Sequence, residues 1–141
     1  YYVLQEGKFD GVFAVLVHNC NELLNGSRTF TRGGKEFTLH QGDNVRRGLN
    51  GKGGWAHIYS RHGNSGNLRY LDKTQFPKNW KNSDILNAMN DTIKHGKIQK
   101  KNFYGEQIIN RRANINGIGY KNYRLTINVD GKTIRNFHIL D

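Results

Sequence analysis

The sequence predicts an α+β domain built on antiparallel sheets with a few helices. Three observations carry that expectation. Tyr123, Leu125, Ile127 and Val129 alternate with polar residues, and Asp130-Gly131 then turns the chain back through Thr133 to Leu140, the pattern of a β-hairpin. Ile85, Ala88, Met89 and Ile93 recur at helical spacing. No strand–helix–strand rhythm of the kind that builds a parallel sheet runs through the chain.

Taken in order, residues 1–20 carry Lys8 against Glu6 and Asp10, a net −1. They end in the apolar run Val12-Phe13-Ala14-Val15-Leu16-Val17 followed by His18-Asn19-Cys20. Residues 21–141 hold 21 basic and 9 acidic side chains, a net of +12, so a boundary is placed at Cys20. Asn21-Glu22-Leu23-Leu24 starts a helix that Asn25-Gly26-Ser27 breaks. From 32 to 69 the chain is rich in Gly, Asn and Arg, with strand-like runs at Phe37-Thr38-Leu39 and from Trp55 to Tyr59, which reads as functional loops carried on strands. The next element is a helix over 83–95, with Ser83 as N-cap, Asp84 in the first turn, Lys94 and His95 in the last, and Gly96 closing it.

The 141 residues and 16.2 kDa fit one compact domain. A hydrophobic fraction of 35% and a mean hydropathy of −0.78 support one modest core. No apolar run approaches the ~18 residues of a membrane span. One cysteine builds no internal disulfide framework, and no cysteine–histidine spacing matches a zinc site, so neither metal nor cofactor is expected. A formal charge of +11 points to a polyanion as partner. The chain opens on Tyr1 with Met89 as its only methionine, so a piece of a longer parent is expected. Residues 1–20 lack the layout of a secretory signal, and an export signal would sit on that parent.

Histidines stand at 18, 40, 57, 62, 95 and 138. His40 lies in Leu39-His40-Gln41-Gly42-Asp43 and His57 in Gly53-Gly54-Trp55-Ala56-His57, both beside glycines that let backbone come close to a ligand. Lys73 follows ahead of the predicted helix. Two imidazoles and a lysine suffice to cleave RNA without a metal. One imidazole takes the ribose 2′-OH proton, the other protonates the departing 5′-oxygen, and the ammonium stabilises the phosphorane. An unperturbed imidazole pKa of ~6.5 suits both transfers. In a basic protein a glycine-flanked histidine is also an ordinary surface residue, and composition alone leaves both readings open.

The order of these motifs resembles the bacterial EndoU-type RNase domain over about residues 35–141. Its elements are similar to His40-Gln41-Gly42-Asp43, then Gly53-Gly54-Trp55-Ala56-His57, then the block Lys73-Thr74-Gln75-Phe76-Pro77-Lys78-Asn79-Trp80, which holds the only proline and leads into a helix. The resemblance implies an EndoU-like architecture of the barnase/EndoU/colicin/RelE type. It also implies transesterification leaving a 2′,3′-cyclic phosphate, with His40 and His57 as acid and base and Lys73 as electrostatic catalyst. Thr74 and Trp55 fall among the implied substrate contacts. One departure concerns the last strand. The family ends in Ile-x-Thr/Ser-x-Tyr/Phe-Pro, whereas this chain reads Ile134-Arg135-Asn136-Phe137-His138-Ile139. Asn136 takes the hydroxyl position and His138 the aromatic one; an amide still donates to phosphate and an imidazole still stacks. For His138 the other reading is a solvent-facing strand residue.

The front segment resembles the pre-toxin junction of bacterial polymorphic toxins, similar to the end of Hint-type autoprocessing domains. There an Asn side chain cyclises and breaks the next peptide bond with His assisting, which would assign His18, Asn19 and Cys20 to an uncut junction. The alternative is a plain strand with a polar end. On this resemblance residues 1–20 are a junction remnant and 21–141 a toxin domain. That domain would be secreted as the C-terminal part of a larger effector of contact-dependent growth inhibition and would act in the target-cell cytoplasm. Its expected partners are RNA, tRNA included, and an acidic cognate immunity protein, with the domain itself a monomer.

Small basic clusters at Arg46-Arg47, Lys52, Arg61, Lys97, Lys100-Lys101 and Arg111-Arg112 alternate with Trp55, Tyr59, Tyr70 and Trp80, a mixture suited to phosphate contacts and base stacking. A non-enzymatic RNA-binding module fits the same charge. So does the same catalytic trio on an RNase A-like or barnase-like fold. A metal-dependent DNase is disfavoured, because no compact His/Asn/Asp motif stands in the sequence.

Overall fold

A computed structural model of the protein describes residues 26–42, 53–66, 68–70 and 72–140. His18, Asn19, Cys20, the helix start at 21–24, Asp43, Arg46, Arg47 and Lys52 lie outside the described residues. Over the described residues the architecture is α+β with two antiparallel sheets and two α-helices, as the sequence predicts at that level.

Strands β1 (Ser27–Arg32) and β2 (Lys35–His40) form a hairpin closed by Gly33-Gly34. Both glycines have positive φ, 56° and 81°, the backbone a two-residue hairpin turn requires. Helix α1 spans Trp55–His62, a short 3₁₀ turn spans Leu68–Tyr70, and helix α2 spans Asn82–His95. Strands β3 (Lys97–Ile98), β4 (Gln107–Asn114), β5 (Tyr120–Ile127) and β6 (Ile134–Ile139) follow as an antiparallel meander in the order β3-β4-β5-β6.

Period-2 alternation gives this sheet two unlike faces. Ile109, Leu125 and Phe137 lie side by side on one face, fully buried, and α2 packs on β4 and β5. On the other face Ile108, Thr126 and Asn136 form one cross-strand row and Asn110, Arg124 and His138 the next. One face therefore belongs to the core and the other is built for polar contact.

The core also holds Leu39, Trp55, Ile58, Phe76, Met89, Ile93 and Tyr123. Trp80, Phe76, Phe137 and Tyr123 form a column of stacked rings with successive centroids 5.8, 5.6 and 5.7 Å apart. This column fixes the 73–80 block against β6, so its Phe and Trp are anchors, while Lys73 at its other end is exposed.

Several expectations need correction. The run from Trp55 to Tyr59 is helix, not strand; its aromatic and branched residues mislead locally, but burial at Trp55, Ile58 and His62 follows the helical period. Helix α2 is capped by Lys81, whose backbone N–H donates to the Asp84 carboxylate at 2.7 Å, and Ser83 lies inside the helix. Gly96 does close α2, yet with an ordinary φ of −72°. It is needed for space, because a Cβ there would stand 2.4 Å from the Thr92 carbonyl oxygen and 2.5 Å from Ile109. The final hairpin turns through Asn128 to Thr133 and not through two residues alone. The Asp130 carboxylate accepts from the N–H groups of Lys132 and Thr133 and from the Thr133 hydroxyl, and Val129 is exposed outside the strand. Arg32 donates to the carbonyls of Ile93 and Gly96, docking the first hairpin on the C-terminus of α2, where a cation suits the dipole. Among the described residues no helix is long and apolar enough to cross a membrane.

Candidate functional site

The C-terminus of α1 leaves four carbonyls without helical partners, and the following chain satisfies each of them. Tyr59 accepts from the Gly63 N–H, Ser60 from the Ser65 hydroxyl, Arg61 from the Gln75 side-chain amide at 2.7 Å, and His62 from the Phe76 N–H at 2.8 Å. The Thr74 hydroxyl donates to the Ile139 carbonyl on β6. Thr74, Gln75 and Phe76 therefore stitch α1 to the outer edge of the sheet, and Gly54 closes the other end by donating to the Arg135 carbonyl at 3.0 Å.

This seam encloses a cleft of about 800 Å³. Helix α1 contributes His57, Arg61 and His62; the seam contributes Asp72, Lys73 and Thr74; β6 contributes Arg135, Asn136 and His138. Arg69, Tyr70, Tyr104 and Leu140 complete the rim. The Arg61 guanidinium lies over the Tyr70 ring at 4.6 Å and that of Arg69 at 5.8 Å, so one buried ring collects two cations. Arg135 is paired with Glu106 at 3.6 Å with both side chains almost fully buried, and Asn102 holds the second Glu106 oxygen at 2.9 Å.

His62 is the best-positioned imidazole. Its Nδ1 stands 2.6 Å from the Thr74 carbonyl oxygen, which only accepts, so Nδ1 carries the proton and Nε2 the lone pair. Burial pushes the His62 pKa below its ordinary value, an effect that the Thr74 hydrogen bond opposes and Arg61 and Lys73 reinforce. His138 stacks on it, centroids 5.0 Å apart and planes 16° from parallel. Desolvation, the neighbouring His62, Arg124 and Lys73 together lower His138 to about 4. Both rings are neutral at neutral pH.

Seven of the residues singled out in the sequence meet in this cleft: His57, Arg61, Tyr70, Lys73, Thr74, Asn136 and His138. His40 does not line it; its side chain is exposed at the end of β2. Trp55, expected as a substrate contact, is 0% exposed and belongs to the core. The glycines beside His40 and His57 serve chain-to-chain approach and not ligand approach. A Cβ on Gly54 would stand 2.6 Å from the His40 carbonyl oxygen, and one on Gly53 would stand 2.3 Å from that of Arg135. Thr74 acts as a clamp, with its hydroxyl on β6 and its carbonyl on His62.

Sequence reasoning named Arg61 among the basic clusters and missed His62 and Arg69. The signal was available for His62, since His57, Arg61 and His62 occupy one short helix once Trp55–His62 is read at a helical period. Among the described residues no three His, Cys, Asp or Glu side chains group as metal ligands. No protein-family model, curated protein or solved structure matches the chain.

Proposed function

We propose that this domain is a metal-independent endoribonuclease that cleaves by transesterification, and that it is the toxic C-terminal part of a secreted bacterial effector. The observation that carries the reading is the meeting of three imidazoles, Lys73 and two further cations, Arg61 and Arg69, in one cleft. His62 is the general base in place of His40. Its Nε2 takes the proton from the 2′-OH, and the 2′-oxygen attacks phosphorus. His57 protonates the departing 5′-oxygen. Lys73 stabilises the charge on the phosphorane, and the products are a 2′,3′-cyclic phosphate and a 5′-hydroxyl. His138 holds the His62 ring in plane by stacking, and Asn136 presents an amide to the phosphate or base.

Incubation of the purified chain with single-stranded RNA, followed by chemical identification of the new 3′ ends, tests the reading. Cyclic phosphate ends support it. RNA that is bound and left whole overturns it in favour of the binding module.

A further inference from the structure

The cleft does not end at β6. A second groove of about 450 Å³ begins at the same Asn136 and His138 and continues over the polar face of the sheet. Its walls are Ile108, Arg124 and Thr126 from β4 and β5, and Gln99, Lys100 and Asn102 from the loop after β3. It has two cations and no acidic residue among its described lining. The loop forming its outer wall is held by side-chain hydrogen bonds. The Asn102 carboxamide oxygen accepts from the N–H groups of Tyr104 and Glu106, and its amide nitrogen donates to Glu106, itself paired with the buried Arg135. Gln107 also donates to the Gln99 carbonyl at 2.7 Å.

We infer that this groove binds the nucleotides beyond the two that flank the scissile phosphate, so that the substrate is a single strand of RNA running across β6 from the cleft, past Asn136 and His138, into the groove. The inference rests on the endoribonuclease reading and deepens it. Lys100 is exposed at the groove mouth, where it meets the phosphate beyond the scissile one. Arg124 lies on the sheet itself, where its Nε donates to the Asn110 side-chain Oδ1 at 3.0 Å, which fixes the guanidinium. Gln99 and Thr126 supply neutral hydrogen-bonding groups suited to a base edge. An A-form duplex does not present one strand with its bases splayed over a sheet face, so the geometry selects unpaired RNA.

The test measures binding and cleavage separately. Fluorescence anisotropy with a 2′-deoxy dinucleotide and a 2′-deoxy pentanucleotide reads binding without turnover, and the matching ribo-oligomers read cleavage. The pentanucleotide should bind tighter than the dinucleotide. Lys100→Ala should weaken pentanucleotide binding about tenfold and leave dinucleotide binding unchanged. Lys121→Ala, an exposed lysine lining neither groove, controls for general charge loss. Equal affinities for the two lengths, or equal losses from Lys100→Ala and Lys121→Ala, would overturn the subsite. Length-dependent, Lys100-dependent binding by a protein that cleaves neither ribo-oligomer would keep the subsite and overturn the endoribonuclease.

Discussion

His62 on α1 and His138 on β6 stack with ring centroids 5.0 Å apart. Two imidazoles this close, beside Lys73, cannot both carry a proton without strong repulsion, so the pair titrates as a unit. Neutral, the rings lock helix to sheet; protonated, they push the seam apart.

Stability should therefore fall in acid. Both histidines have folded-state pKa values below the ordinary 6.5, His138 at about 4. Between these values the unfolded chain binds more protons than the folded one, so stability rises with pH across the window and is complete above about 6.5. For His138 alone the change is about 3 kcal/mol. Thermal melts of the wild type from pH 7 to pH 4 should show a falling Tm, and His138→Phe should flatten the slope. An unchanged slope in that variant would contradict the coupling.

Gly53→Ala should destabilise the fold by about 1–3 kcal/mol, because a Cβ at Gly53 would stand 2.3 Å from the Arg135 carbonyl oxygen and backbone does not yield easily. Gly66 has open space at the same position. Gly66→Ala meets only the strain of its positive φ of 79° and should be the milder change. Chemical denaturation of the two variants decides the order.

The general layout was legible because it rests on strong local signals. Tyr123, Leu125 and Ile127 face the core as their alternation requires, and the apolar stripe of α2 is buried as its spacing requires. The site was only partly legible. Lys73 and His138 belong to segments whose partners lie far away in sequence, and only the wrapping of 74–76 around the edge of β6 brings them together. His40 looked equivalent to His57 because both adjoin glycines. Those glycines instead pack two backbone segments against each other, a use that composition cannot distinguish from ligand approach.

Cleavage should survive EDTA. Lys73, Arg61 and Arg69 already supply positive charge at the cleft. Gel assays of RNA with chelator, and with added Mg²⁺ or Mn²⁺, read the outcome. Loss of activity on chelation with recovery on one divalent ion would move the reading to a metallonuclease.

An acidic immunity protein should block the cleft. Tyr104 lines its rim with 56% of its surface exposed, and the neighbouring Phe103 is 94% exposed, so these rings, and not Trp55, are the anchors available to a partner. Calorimetry against the product of the adjacent gene should show tight, salt-sensitive binding that abolishes cleavage, weakened by Phe103→Ala. Binding that leaves cleavage intact would point to a housekeeping RNase.

The most direct measurement compares the initial cleavage rates of His62→Ala and His40→Ala on one single-stranded RNA, with circular dichroism to confirm the fold and His57→Ala and Lys73→Ala as companions. The account predicts that His62→Ala, His57→Ala and Lys73→Ala each lose about 10²–10⁴-fold or more, while His40→Ala stays near wild type. Full activity in folded His62→Ala, or its loss in folded His40→Ala, would contradict it.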